Sequence, residues 1–187
     1  HAKNFKSLFD IAKAKSEIIF NIRKNGTLIL NKDDKFFSFF SNLAYKNNLD
    51  IISFGRHKNS NIRLFKLKKS KRSCIIYITV NSKIYNFKIN NNLLPYVDNI
   101  LASIAVCKSL DIIDKIKSNF FFNYKIPSGR GNIKKVTVGS KKINIIDESY
   151  NSNPLSLNFS IKKFDDLKIN PNKKFMLLGD MLELGKF

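Results

Sequence analysis

Three short segments carry residue types that could do chemistry. The run Ile146-Asp147-Glu148-Ser149-Tyr150-Asn151-Ser152-Asn153-Pro154 follows an apolar stretch and precedes a helical one. Side chains at the carboxyl end of a strand in an open α/β sheet face the usual ligand crevice. Acids there can hold ribose hydroxyls or a metal, while Ser and Asn supply donors. The plain alternative is a loop whose Asn and Ser bond only their own backbone. The second segment, Leu177-Leu178-Gly179-Asp180-Met181-Leu182-Glu183-Leu184-Gly185, is a strand-like run entering a glycine loop, where Gly179 would let a ligand approach the backbone. The third, Pro127-Ser128-Gly129-Arg130-Gly131, sets a lone arginine between glycines, where it could reach a phosphate bidentately.

Other chemistries are excluded. Gly185-Lys186 misses the G-x-x-x-x-G-K-S/T phosphate-loop spacing by one residue, and Phe187 stands where Ser or Thr is required. No nucleophilic triad, zinc motif or Rossmann G-x-G-x-x-G can be assembled. Cys74 and Cys107 are far apart in apolar sequence and read as buried free thiols of a reducing cytosol. His57 reads as a solvated loop residue. Lys15, on an otherwise apolar helix face, reads on its own as a snorkelling lysine.

The elements that would position these residues alternate. Residues 7–20 read as a helix capped by Ser7, with Leu8, Ile11, Ala12, Lys15, Ile18 and Ile19 on one face. A strand at 27–30, a helix at 36–46 and a strand at 51–54 suggest a parallel α/β sheet. Residues 62–67, 74–80 and 84–89 read as an antiparallel meander, followed by helices at 97–109 and 111–119. Pro127, Gly129 and Gly131 mark a linker. Beyond it come strands at 134–138 and 143–146, a helix at 154–164 with Pro154 in its first turn, and a strand at 175–178.

Composition sets the outer bounds. With 43% hydrophobic residues and 17 Phe the chain can bury a substantial core. No apolar run is long enough to span a bilayer, so no integral membrane segment is expected. The net charge of +20 raises the question of nucleic acid, but only five basic residues are arginines and the lysines are spread among Asn and Ile along the whole chain. An AT-rich coding sequence gives that pattern to any protein, so no nucleic-acid partner is expected. A basic nucleic-acid-binding protein is the alternative from another class. A start at His1 without Met, and a second α/β domain that stops after few elements, read as an internal piece of a longer chain.

Taken together and in order, the segments resemble the Mur ligases. Residues 1–8 and 11–18 are similar to that family's H-L-E-x-F-x-S-L and I-A-x-A-K-x-E-I, Leu30-Asn31-Lys32-Asp33-Asp34 to L-N-x-D-D, and Ser53-Phe54-Gly55 to T-F-G. Asn99-Ile100-Leu101-Ala102-Ser103-Ile104-Ala105 resembles N-x-L-A-A-x-A. The most specific matches are residues 147–154, similar to D-D/E-S-Y-N-A-N-P, and residues 179–185, which read G-D-M-L-E-L-G.

The resemblance implies an α/β fold in three parts. Residues 1–124 would be the second half of a central ATPase domain, with a parallel sheet, helices and an antiparallel meander. Residues 125–131 would be a hinge linker, and residues 132–187 the truncated start of a Rossmann-like C-terminal domain. It implies an ATP-dependent, amide-forming ligase that adds D-alanyl-D-alanine to UDP-N-acetylmuramoyl-tripeptide through an acyl phosphate, in peptidoglycan precursor synthesis. The enzyme would be cytoplasmic and monomeric, and this piece alone inactive. Another amino-acid-adding ligase, tripeptide-forming or a folylpolyglutamate synthase, is the alternative within the superfamily.

By the same resemblance His1 would bind Mg²⁺, and Lys15 would be carbamylated, an anion that helps hold a second Mg²⁺. Asn99 would lie on the adenine side of ATP, Arg130 near its phosphates, and Asp147 and Glu148 near its ribose. Ser149, Tyr150, Asn151, Asn153 and Asp180 would line the substrate side. The family's G-x-H-x-x-x-N departs here to Leu93-Leu94-Pro95-Tyr96-Val97-Asp98-Asn99, so Pro95 replaces the adenine-contacting histidine and Tyr96 is left as a possible stacking partner.

Overall fold

A computed structural model describes residues 5–181, apart from the side chain of Leu155. The chain divides into two compact units, Ser7–Tyr124 and the residues from Lys125 onward.

The first unit contains α1 (Leu8–Ser16), β1 (Thr27–Asn31), α2 (Phe37–Lys46), β2 (Asp50–Gly55), β3 (Ile62–Lys69), β4 (Ser73–Val80), β5 (Lys83–Asn90) and α3 (Val97–Ser109). One five-stranded sheet runs in the order β1-β2-β3-β4-β5. β1 pairs in parallel with β2, and β2 with β3, whereas β3–β4 and β4–β5 are antiparallel. The alternation in β4 sends Cys74, Ile76, Ile78 and Val80 to the core. Facing strands add Ile62, Leu64, Phe87 and Ile89. α3 buries Val97, Ile100, Leu101, Ile104 and Ala105, the stripe its 3.6-residue period dictates. α2 packs Ala44, Phe40 and Leu43 with Leu28 and Ile51.

Several expectations are corrected. The first helix is α only to Ser16 and continues as a tighter 3-10 turn over Glu17–Asn21. The buried face runs through Ala12, Ser16 and Ile19, the ordinary spacing of one helix face, while Leu8 and Ile18 are about 60% exposed and Lys15 points outward. Ser7 caps the helix as expected, its Oγ accepting the Asp10 N–H at 3.1 Å. The helix expected over 111–119 is only a 3-10 turn, Ile113–Lys115. Asp111 adopts φ +53° just before it, which interrupts the helical path. Phe121 nonetheless anchors the segment, edge-on to Phe87 at 5.6 Å. Cys107 is half-buried, not buried.

The second unit holds β6 (Asn132–Val138), β7 (Lys141–Asp147) and α4 (Pro154–Asp165). β6 and β7 form a two-stranded antiparallel ribbon that leaves Ile133, Val136, Val138, Ile143 and Ile145 exposed. The strand expected over 175–178 is absent: Phe175 and Leu177 lie exposed and pair with no ladder. α4 begins with a capping box, Asn153 Oδ1 accepting from the Ser156 N–H at 2.9 Å, and with Pro154 in its first turn.

Candidate functional site

Two groups of polar side chains collect at strand ends, one in each unit. In the first unit they gather at the carboxyl edge of β1 and β2, where ligands of open α/β sheets bind. The chain leaves β1 through a turn in which Asn31 Oδ1 accepts the Asp33 N–H at 2.9 Å. Asp33 then faces the end of β2. Its Oδ2 accepts the Arg56 N–H at 2.6 Å and its Oδ1 accepts the His57 N–H at 2.9 Å. The Arg56 guanidinium lies 4.0 Å from Asp33 and donates to Asp98 at 2.7 Å, in the first turn of α3. An acid there also meets the positive end of the helix. Asn99 follows on the same turn with its side chain exposed, and its carbonyl accepts from Ser103 Oγ at 2.9 Å. Pro95 sits in the 3-10 turn Asn91–Tyr96 that leads into α3, and Tyr96 is half-buried at the helix start. His57 is exposed as expected, its Nδ1 accepting the Asn59 N–H at 3.2 Å.

In the second unit the glycine turn and the end of β7 interlock. Tyr150 N–H donates to the Gly129 carbonyl at 3.1 Å, and Gly131 N–H to the Asp147 carbonyl at 2.7 Å. Gly129 has φ +78°, and a Cβ there would stand 2.9 Å from Tyr150 Cβ, so the approach requires glycine. The Arg130 guanidinium stacks over the Tyr150 ring at 4.1 Å.

Asp147 ties the turn to the ribbon. Its Oδ1 accepts from the Ser149 hydroxyl at 2.6 Å and the Ser149 N–H at 3.2 Å, and its Oδ2 lies 3.0 Å from Lys134 Nζ and 3.4 Å from Ser128 Oγ. The Ser149 hydroxyl bond first, then the Lys134 ammonium, hold this carboxyl well below the usual carboxylate range. An ionised carboxylate offers about four lone-pair sites and these four donors occupy them, so a ligand hydroxyl would have to displace one, Ser128 at 3.4 Å being the longest.

The structure therefore brings Arg130, Asp147, Ser149 and Tyr150 together. Glu148, Asn151 and Asp180 are exposed, and Asn153 is engaged as the cap of α4. Lys15 is exposed in the last turn of α1. His1, Glu183 and Gly185 lie outside the described residues. Among the described residues no three His, Cys, Asp or Glu side chains converge, so these alone make no Mg²⁺ shell. Sequence reasoning assigned no role to Lys134, Asp33, Arg56 or Asp98. The available signal was that Asp33 follows one parallel strand by two residues and Gly55 ends the other.

The family model for the Mur ligase middle domain matches residues 1–107. The UDP-N-acetylmuramoyl-tripeptide–D-alanyl-D-alanine ligase of Buchnera aphidicola subsp. Baizongia pistaciae is 33% identical over 100% of this chain and 39% of its own length. Its counterpart from Buchnera aphidicola subsp. Acyrthosiphon pisum is 34% identical over 100% of this chain and 40% of its own. The chain thus spans about 40% of the length of these curated relatives. Among solved structures, MurF from Acinetobacter baumannii superposes with a TM-score of 0.73 at 20% identity, over 90% of this chain and 35% of that one. MurF ligase from Thermotoga maritima in complex with ADP gives 0.68 at 21% identity, over 88% and 36%. At those identities the superpositions establish the fold.

Proposed function

Because the chain belongs to the Mur ligase family, we propose that it is part of an ATP-dependent ligase joining D-alanyl-D-alanine to UDP-N-acetylmuramoyl-tripeptide. The observation that carries this reading is similarity along the entire chain to relatives bearing that name. In this reading the enzyme works in the cytoplasm as a monomer in peptidoglycan precursor synthesis. Among the described residues, no helix is long and apolar enough to cross a membrane.

The nucleotide roles fit the side chains present. Asn99, exposed at the start of α3, offers an amide donor and acceptor suited to an adenine edge. Arg130 offers its guanidinium to a phosphate oxygen, with one face braced on Tyr150. The exposed Glu148 can accept a ribose hydroxyl, and Asp147, kept ionised by Ser149 and Lys134, can accept one in exchange for Ser128. Ser149, Tyr150, Asn151, Asn153 and Asp180 are assigned to the substrate side.

ATP supplies the phosphoryl group that activates the acceptor carboxylate for attack by the incoming amine. Mg²⁺ held with the help of His1 and a carbamylated Lys15 would offset phosphate charge during that transfer. The exposed Lys15 amine leaves room for CO₂ to add.

Lys15→Ala in the full-length ligase tests the chemistry. The expected loss is at least about 100-fold in turnover, with partial recovery by added small carboxylates, since metal-held charge contributes several kcal/mol to such transfers. Near-normal turnover would leave Lys15 an ordinary surface lysine.

A further inference from the structure

The loop between β2 and β3 leaves the sheet after Gly55 and returns at Ile62, so its two ends lie side by side, paired Phe54↔Ile62 and Gly55↔Arg63. A compact loop with adjoining ends has to be closed by its own side chains or by a neighbour. Asn61 closes one side: its Oδ1 accepts from the Ser53 N–H at 2.8 Å and the Ser53 hydroxyl at 2.7 Å. Asp33, from the turn after β1, closes the other by accepting the Arg56 and His57 N–H groups on separate oxygens. Gly55 has φ +146°, and a Cβ there would stand 2.7 Å from the Asp33 carboxylate. The loop is built around that carboxylate, and the Arg56 side chain then reaches Asp98 in the first turn of α3.

We propose that Asp33 is a positioning residue for nucleotide binding, acting through Arg56 and Asp98 to fix the first turn of α3 that carries Asn99. This rests on the reading of Asn99 as an adenine-side residue. Both Asp33 oxygens accept backbone donors, and such charge-assisted bonds are about twice as strong as neutral ones. An asparagine at 33 would keep one acceptor and turn an amide N–H toward the other donor. The Arg56–Asp98 link is about half exposed on each side, hence screened and individually weaker.

The test is steady-state kinetics of the full-length ligase carrying Asp33→Asn, Arg56→Gln or Asp98→Asn. Asp33→Asn should raise the KM for ATP about tenfold. Arg56→Gln and Asp98→Asn should each raise it about two- to fivefold, with kcat held within about twofold. The double variant Arg56→Gln/Asp98→Asn should be no worse than either single one, because the two residues share a bond. Asp33→Asn could also weaken folding, so the two exposed positions decide the matter. An unchanged KM for ATP in both, or a fall in kcat without a change in KM, overturns the role of Asp33. If the unmutated enzyme consumes ATP with a different amine, the substrate reading fails, while the ATP-side comparison still decides the positioning role.

Discussion

Asp33 and Asp147 do similar work in differently built units. Each is a carboxylate at or just past a strand end that accepts backbone N–H from a turn, two such groups for Asp33 and one for Asp147. Asp33 reaches across 23 residues to the Arg56 amide, above a sheet whose Ile62, Ile76 and Ile78 are completely buried. Asp147 works locally, bonding Ser149 two residues on and Lys134 across the ribbon, with exposed Ile143 and Ile145 beside it in β7. The first clamp is held in place by packing. The second depends on two positive-φ glycines, a serine and an ammonium group. Charge therefore carries more of the local order in the second unit, and apolar burial more in the first.

The largest expected difference is in response to cavity formation. Ile76→Ala, at a site with no exposure, should lower stability by about 3 kcal/mol. Ile143→Ala, at a site 44% exposed, should cost about 0.5 kcal/mol or less. Urea midpoints of the two variants would check this. Equal shifts would mean that the ribbon is as strongly packed as the sheet.

A smaller effect should follow removal of Lys134. Asp147 titrates below its ordinary range, so its bonds contribute order that is complete above about pH 4 and lost as pH falls through the folded-state value. Lys134→Ala should move that midpoint upward, though not to the ordinary value, because the Ser149 bonds remain. A ¹³C titration of the Asp147 carboxyl measures it. An unmoved midpoint would make Lys134 a solvated neighbour and leave Ser149 to hold the turn alone.

Legibility in the sequence did not follow that division. α3 was readable because its apolar spacing at 3.6 residues coincides with what is buried, and β4 because its run of β-branched and aromatic residues favours a strand. The Ser7 cap and Pro154 start were readable from local chemistry. The failures arose where local pattern does not decide. The first helix buries the face of Ala12, Ser16 and Ile19, which leaves Lys15 exposed although apolar residues lie near it in sequence, and residues 175–178 are apolar but find no strand to pair with. In the candidate sites, Arg130 and residues 147–150 stood out by type and spacing. Asp33, Arg56 and Asp98 did not, since their relation spans 23 and 42 residues and exists only once the sheet forms. Lys134 was hidden among many lysines.

The proposed ligase reaction is tested most directly by phosphate release from ATP by the full-length protein. With ATP and UDP-N-acetylmuramoyl-tripeptide supplied, D-alanyl-D-alanine should stimulate release, whereas D-glutamate, meso-diaminopimelate, L-lysine and L-glutamate should not. Stimulation by one of those amines, with none by D-alanyl-D-alanine, would contradict the assignment.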